Sequence, residues 1–248
     1  MMDTTMNRVR VWDVPVRVFH WLLVLSFAGA WLSAESERWR LLHVTLGYTV
    51  AGLVAFRLVW GLVGTRPARF ASFVRGPVAV RDYVRGLLTG HAPHTTGHNP
   101  AGALAIVGLL ALAALTTAMG WASYNELGGD LTEEGHEWAA NAMLLLVGVH
   151  LAGVLVGSLA HRENLVRAMF TGHKRGLPAE GAQRAWTPLG ALLLAVVLGF
   201  WAWQWRSAPQ PASAWQTAAV EPSSEPGPLA ALKAMIDDDD DDDDEEGH

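Results

Sequence analysis

A run of apolar residues long enough to cross a bilayer, HEWAANAMLLLVGVHLAGVLVGSLAH, occupies positions 136–161 and carries His136 at its start and His150 in its body. Fourteen residues of α-helix turn through about 1400°, about 40° short of four full turns, and rise about 21 Å. The two imidazoles therefore leave nearly the same face at well-separated depths. Ionisable side chains within a membrane span are rare and mark functional sites. Two histidines stacked along one span suit two metal sites, one above the other, and haem iron takes imidazole ligands of this kind.

Composition agrees with a small polytopic membrane protein: 248 residues, 51% hydrophobic, with 12 Trp. There are no cysteines, which excludes covalent haem attachment through C-x-x-C-H, Cys-ligated iron–sulfur clusters, zinc ribbons and disulfides. Any haem is bound non-covalently. The net charge of −6 becomes +4 once the ten acidic residues of 237–246 are set aside, so the body of the chain is mildly basic.

In chain order, a polar stretch with Arg8, Arg10 and Arg17 leads into a first apolar run from Val18 to about Ser33. Its charged start and small residues near Ser33 resemble a signal peptide, but His20, Trp21 and the interfacial Trp31 favour a retained span. A second span runs from about Leu41 to Val63, with His43 near its start. Residues 64–100 are Arg-rich and broken by Pro and Gly, with a short interfacial helix expected over Val78–Leu88. Asn99 followed by Pro100 reads as a helix start, an N-cap and then a proline in the first turn. The third span, Ala101–Trp121, has no histidine. An acidic loop over 122–135 precedes the fourth span, His136–Ala160, and the basic segment 161–186 precedes a fifth, Pro188–Trp205. From Arg206 onward the chain reads as a disordered acidic tail, with at most a weak helix at Leu229–Ile236. No internal repeat is evident. The expected organisation is a four-helix domain over 1–175, a fifth helix over 176–205 and a tail over 206–248.

Five spans place the N-terminus, 64–100 and 161–186 on one side with thirteen Lys and Arg, against four on the other. The positive-inside rule makes the N-terminus cytoplasmic and the tail periplasmic, for a bacterial inner membrane. Span direction then sets depth. His43 and His136 fall at the outer level, His20 and His150 at the inner, which pairs His43 with His136 and His20 with His150. A single zinc ion cannot join all four, because its ligands must lie about 2 Å from it. Membrane di-iron enzymes would show histidines a turn apart, which these pairs do not. Individually, a histidine at a span end is as readily an interfacial residue; the joint pattern favours ligation. The remaining histidines read as surface residues, with His98 the one candidate for a place near a haem or quinone.

Arg57 lies fourteen residues after His43, on nearly the same face and at the inner level. It suits a haem propionate or a quinone oxygen, the alternative being an arginine snorkelling to the inner boundary. Gly47 and Gly153, each about a turn from a candidate ligand, leave room for a porphyrin, although glycine also serves helix packing in membranes.

The stretches VWDVPVRVFHW, LHVTLGYTVAGLVAFRLVWGLVG, GHNPAGALAIVGLLAL and HEWAANAMLLLVGVHLAGVL together resemble the bacterial di-haem cytochrome b-561 family, related to the b-type cytochrome subunits of nickel–iron hydrogenases. The resemblance spans about residues 8–175. It implies an all-α integral membrane protein, a four-helix bundle with two haem b groups per chain ligated from the first, second and fourth spans, at positions matched by His20, His43, His136 and His150. It also implies electron exchange between the quinone pool and a partner. The expected partners are quinone or quinol, membrane lipid and a basic periplasmic redox protein such as a c-type cytochrome, with no nucleic acid. Two alternatives stand beside a simple electron conduit: the anchor subunit of a larger oxidoreductase such as a hydrogenase, or a superoxide or ferric reductase acting at the outer haem. The fifth span and acidic tail go beyond the minimal pattern.

Overall fold

The structure, a computed structural model, describes residues 7–91 and 93–208. The expected tail starts later than Arg206, since the last helix continues to Ser207; the rest of it, with the helix expected at Leu229–Ile236, lies outside the described residues. In chain order the elements are β1 (Asn7–Arg10), α1 (Val14–Leu32), α2 (Arg40–Val63), α3 (Phe70–Phe73), α4 (Pro77–Leu88), α5 (Pro100–Tyr124), α6 (Asp130–Ala160), α7 (Leu165–Thr171), β2 (His173–Gly176) and α8 (Thr187–Ser207). Helices α1, α2, α5, α6 and α8 are each long and apolar enough to cross a membrane.

The helix starts follow local chemistry. Asp13 caps α1, its Oδ1 accepting from Val16 N at 2.9 Å, with Pro15 in the first turn. This cap starts α1 four residues before the hydropathy edge at Val18, because Arg17 is polar yet helical. Asn99 caps α5 through a bond from Gly102 N at 2.6 Å, the start expected from Asn99–Pro100. Helix α6 begins at Asp130, six residues before His136, so the second half of the acidic segment is helical. Asp130 and Glu133 stand in its first turn, where the helix dipole favours negative charge.

The most extensive helix pairs are α5 with α6 and α1 with α2, and α2 also meets α5. Small residues bring α5 and α6 together: a Cβ at Gly108 would stand 2.9 Å from Leu146, and one at Gly135 3.4 Å from Met119. Phe19, Leu22, Val50, Leu53, Leu110, Met143 and Val197 form the central cluster. Its last member shows that α8 packs on this bundle, and the indole of Trp201 donates to Thr49 Oγ1 at 2.8 Å. Helix α6, by contrast, scarcely approaches α1 or α2 along its backbone.

The short elements gather where α1 begins and α2 ends. Val9, Val11, Trp12, Val16, Trp60, Ala68 and Ala168 pack there as a second cluster. Strand β1 pairs antiparallel with β2, Asn7 opposite Gly176 and Arg10 opposite His173. Among the described residues this two-stranded sheet is the one departure from the all-α expectation, and its partners are too short and too far apart in sequence to show a strand pattern.

Candidate haem sites

At the far end from this cap, α2 and α6 bring His43 and His136 together, with ring centroids 6.0 Å apart and planes crossing at 78°. Each Nδ1 lies 2.8 Å from a backbone carbonyl, Ala30 O on α1 for His43 and Thr116 O on α5 for His136. A carbonyl only accepts, so both Nδ1 atoms carry the proton and both Nε2 atoms keep a lone pair. Gly120 makes the second contact possible, since a Cβ there would stand 2.7 Å from His136 Nδ1.

At the near end, His20 on α1 and His150 on α6 lie within electrostatic range of one another, and both act on His98. Among the described residues no hydrogen bond or ring contact joins the two, and His20 Nδ1 is buried without a partner. The near-end pair is therefore looser than the far-end pair.

His98, just before the α5 cap, belongs to this level and not to the surface. Its ring lies between Trp12 and Phe73, with centroids 4.4 Å from each, and its Nδ1 is buried without a partner. Burial first, then Arg57, Lys174, His150 and His20, hold its pKa well below the ordinary histidine value. It is neutral at pH 7. Arg57 is only 3% exposed, so it does not snorkel to open water. Its guanidinium sits 4.7 Å over the Phe70 ring, with the Asp13 carboxylate in electrostatic range and Nη1 lacking any partner among the described residues.

One more histidine departs from the surface reading. Half-buried His161 has its Nε2 3.2 Å from Tyr83 Oη, while His94, 3.5 Å from Glu163, is exposed as expected. Burial lowers the His161 pKa, helped by His94 and Lys174 and opposed by Glu163. Loop polarity hides such groups in sequence, because it gives no sign of which loops fold against one another. Among the described residues no three His, Asp or Glu converge as a zinc site requires.

The family model for prokaryotic cytochrome b561 matches residues 11–172. The chain belongs to that family. No curated protein and no solved structure gives a match. The cytochrome is thus a b-type, membrane-embedded electron-transfer protein built as a helical bundle, and b-type haem is its implied cofactor.

The far-end pair fits that group. Metal–imidazole bonds of about 2 Å on either side of one ion separate two ring centroids by about 6 Å, the spacing His43 and His136 show. Their Nδ1–H bonds are the outer contacts that fix tautomer and aim in a metal-binding histidine. Near both pairs the backbone is uncrowded: at Gly47 and at Gly153 a Cβ would have no atom within 4 Å. Gly120→Ala tests the aim of His136. Helix propensity alone favours alanine by about 1 kcal/mol, yet the added methyl displaces the imidazole. We expect the variant to remain folded and lose the low-spin signal of one haem; an unchanged spectrum would show that Gly120 does not position His136.

Proposed function

We propose that this cytochrome is a two-haem electron conduit of the bacterial inner membrane, linking the quinone pool to a periplasmic redox protein. One haem b is held by His43 and His136 at the outer level, the other by His20 and His150 at the inner. The observation that carries this is the far-end pair, two imidazoles at ligation spacing with both Nδ1 atoms already bonded. When bound, each haem carries one electron at a time between ferric and ferrous iron. Two imidazoles on one iron leave no open position for oxygen or substrate, which favours transfer over catalysis.

Arg57 supports the inner site as a donor to a propionate, since a buried guanidinium with a free N–H binds a carboxylate well. His98, kept neutral, lies close to the same group without adding charge. Residues 1–175 form the haem-bearing domain in this reading, 176–205 add the fifth helix, and 206–248 form the tail. The thirteen-to-four bias of Lys and Arg puts the N-terminus in the cytoplasm. Exposed Glu126, Asp130, Glu133, Glu134 and Glu137 then surround the outer site on the periplasmic side. Together with the acidic run of 237–246 they would steer a basic partner such as a c-type cytochrome.

A haem count with redox titration on the purified chain tests this, followed by electron transfer to a basic cytochrome at rising salt. We expect two low-spin b haems per chain and a rate that falls as ions screen charge, over a Debye length of about 8 Å at physiological strength. One haem per chain, or high-spin iron, overturns the two-site reading; a salt-independent rate removes the acidic docking surface.

A further inference from the structure

Helix α2 ends at Val63, its last two residues apolar and largely exposed, and the chain then turns strongly basic. Arg66, Arg69, Arg75, Arg81 and Arg85 follow, all exposed, with Asp82 the one carboxylate between 64 and 88. Asp82 pairs with Arg81 at 3.1 Å. Among the described residues no carboxylate pairs with the other four arginines, so most of this charge is free to meet something outside the fold. A basic cluster that directly follows a membrane span draws anionic lipid.

Apolar side chains stand among these arginines. Val74, Val78 and Val84 are all exposed, and Leu88 is 85% exposed. Helix α4 gathers both kinds on one side: at 100° per residue, Arg81, Val84, Arg85 and Leu88 fall within a sector of about 100°. Buried Tyr83 lies about 160° from each of the two arginines. Its hydroxyl is 3.2 Å from His161 Nε2 at the end of α6, and α4 also packs on α5. One side of α4 is therefore seated on the bundle, and the opposite side presents arginine and aliphatic residues together. A face turned to water would gain nothing from Leu88, and a face turned to acyl chains would not carry arginine. The mixture fits the layer between them, where aliphatic side chains reach the first methylenes of the lipid and long basic stems reach back to phosphate.

We propose that the outward face of α4 binds the headgroups of anionic phospholipids. Arg81 and Arg85 donate to phosphate oxygens, which a guanidinium meets with two parallel N–H bonds, while Val84 and Leu88 enter the edge of the acyl layer. Arg75, just before the helix, adds to the attraction. Phosphatidylcholine offers the same phosphate but cancels its charge with choline, so selection between the two lipids reports charge and not phosphate alone. The surface lies apart from both candidate haem sites, yet it acts on the inner one's support: the helix that meets the lipid is the helix that braces the end of α6, eleven residues beyond His150.

The chain has no cysteine, so Leu88→Cys gives the full-length, haem-loaded protein a single attachment point for an NBD fluorophore. The labelled protein is reconstituted in phosphatidylcholine vesicles, and quenching is compared for nitroxide-labelled phosphatidylglycerol and nitroxide-labelled phosphatidylcholine. We expect the glycerol lipid to quench at the lower mole fraction. Arg85→Gln should cut that preference about fivefold, what one basic charge near a membrane surface supplies, and Arg85→Lys should keep most of it. Labelled lipid occupies both leaflets, so the result does not depend on which way the chain crosses the membrane. Equal quenching by the two lipids overturns the selection of anionic headgroups. Quenching by aqueous iodide and by neither lipid puts the face in water, where a soluble partner would meet it, and overturns the proposal as well. An equal loss of preference in Arg38→Gln, on the α1–α2 connection, would show an effect of overall charge and overturn the assignment to α4.

Discussion

Replacing His150 with alanine is expected to remove the same haem that His20→Ala removes, halving haem content and leaving the other centre intact. The two residues lie on helices that run in opposite directions, yet both approach His98 and each other. His136, on the same helix as His150, is about 21 Å away along the axis and is committed to His43 at 6.0 Å. One iron cannot bridge that separation. The double variant should lose no more haem than either single one, the non-additive result expected when two residues serve one site. His43→Ala and His136→Ala should remove the complementary centre. Redox titration of the four single variants decides this, and a crossed pattern, with His150 and His43 affecting one centre, would sink the assignment.

The second large effect is expected at a residue that binds no cofactor. Asp13 is fully buried, and its carboxylate accepts from Val16 N, from Trp60 Nε1 at 3.0 Å and from Thr65 Oγ1 at 2.6 Å. It ties the start of α1 to the end of α2 and lies in electrostatic range of Arg57. Alanine there removes a helix cap, strands two donors and takes away the negative charge that acts at range on the Arg57 guanidinium. Leaving buried hydrogen-bond donors unmet costs about 1–3 kcal/mol each. Thermal loss of the haem spectrum should shift sharply downward in Asp13→Ala. Asp13→Asn keeps the shape and the cap but not the charge, and should fall between. If Asp13→Ala melts with the native protein, the carboxylate is not the tie described.

The membrane-spanning helices were legible because hydropathy acts along the chain. His20, His43, His136 and His150 could be sorted into levels from span direction alone, and the 6.0 Å approach of His43 to His136 agrees with that sorting. Helix ends were harder. The cap at Asp13 and the start at Asp130 both lie in polar sequence, where local hydrogen bonding sets the boundary and hydropathy is silent. Tertiary pairing was hidden altogether. Nothing in residues 7–10 or 173–176 announces that they join, and nothing in the 64–100 segment shows His98 enclosed by Trp12 and Phe73.

The carbonyls that aim His43 and His136 carry a consequence for how the bundle is assembled. His43 is aimed by Ala30, thirteen residues earlier, and His136 by Thr116, twenty residues earlier. Both bonds close inside a single helical hairpin, α1–α2 or α5–α6, and those are the two most tightly packed pairs. The histidines themselves are ninety-three positions apart. Aiming is therefore local and fast to form, whereas pairing is a long-range closure with a larger entropic cost. Each hairpin can leave the insertion machinery with its imidazole already turned to the correct tautomer, so the slow encounter joins two half-sites that need no further rearrangement.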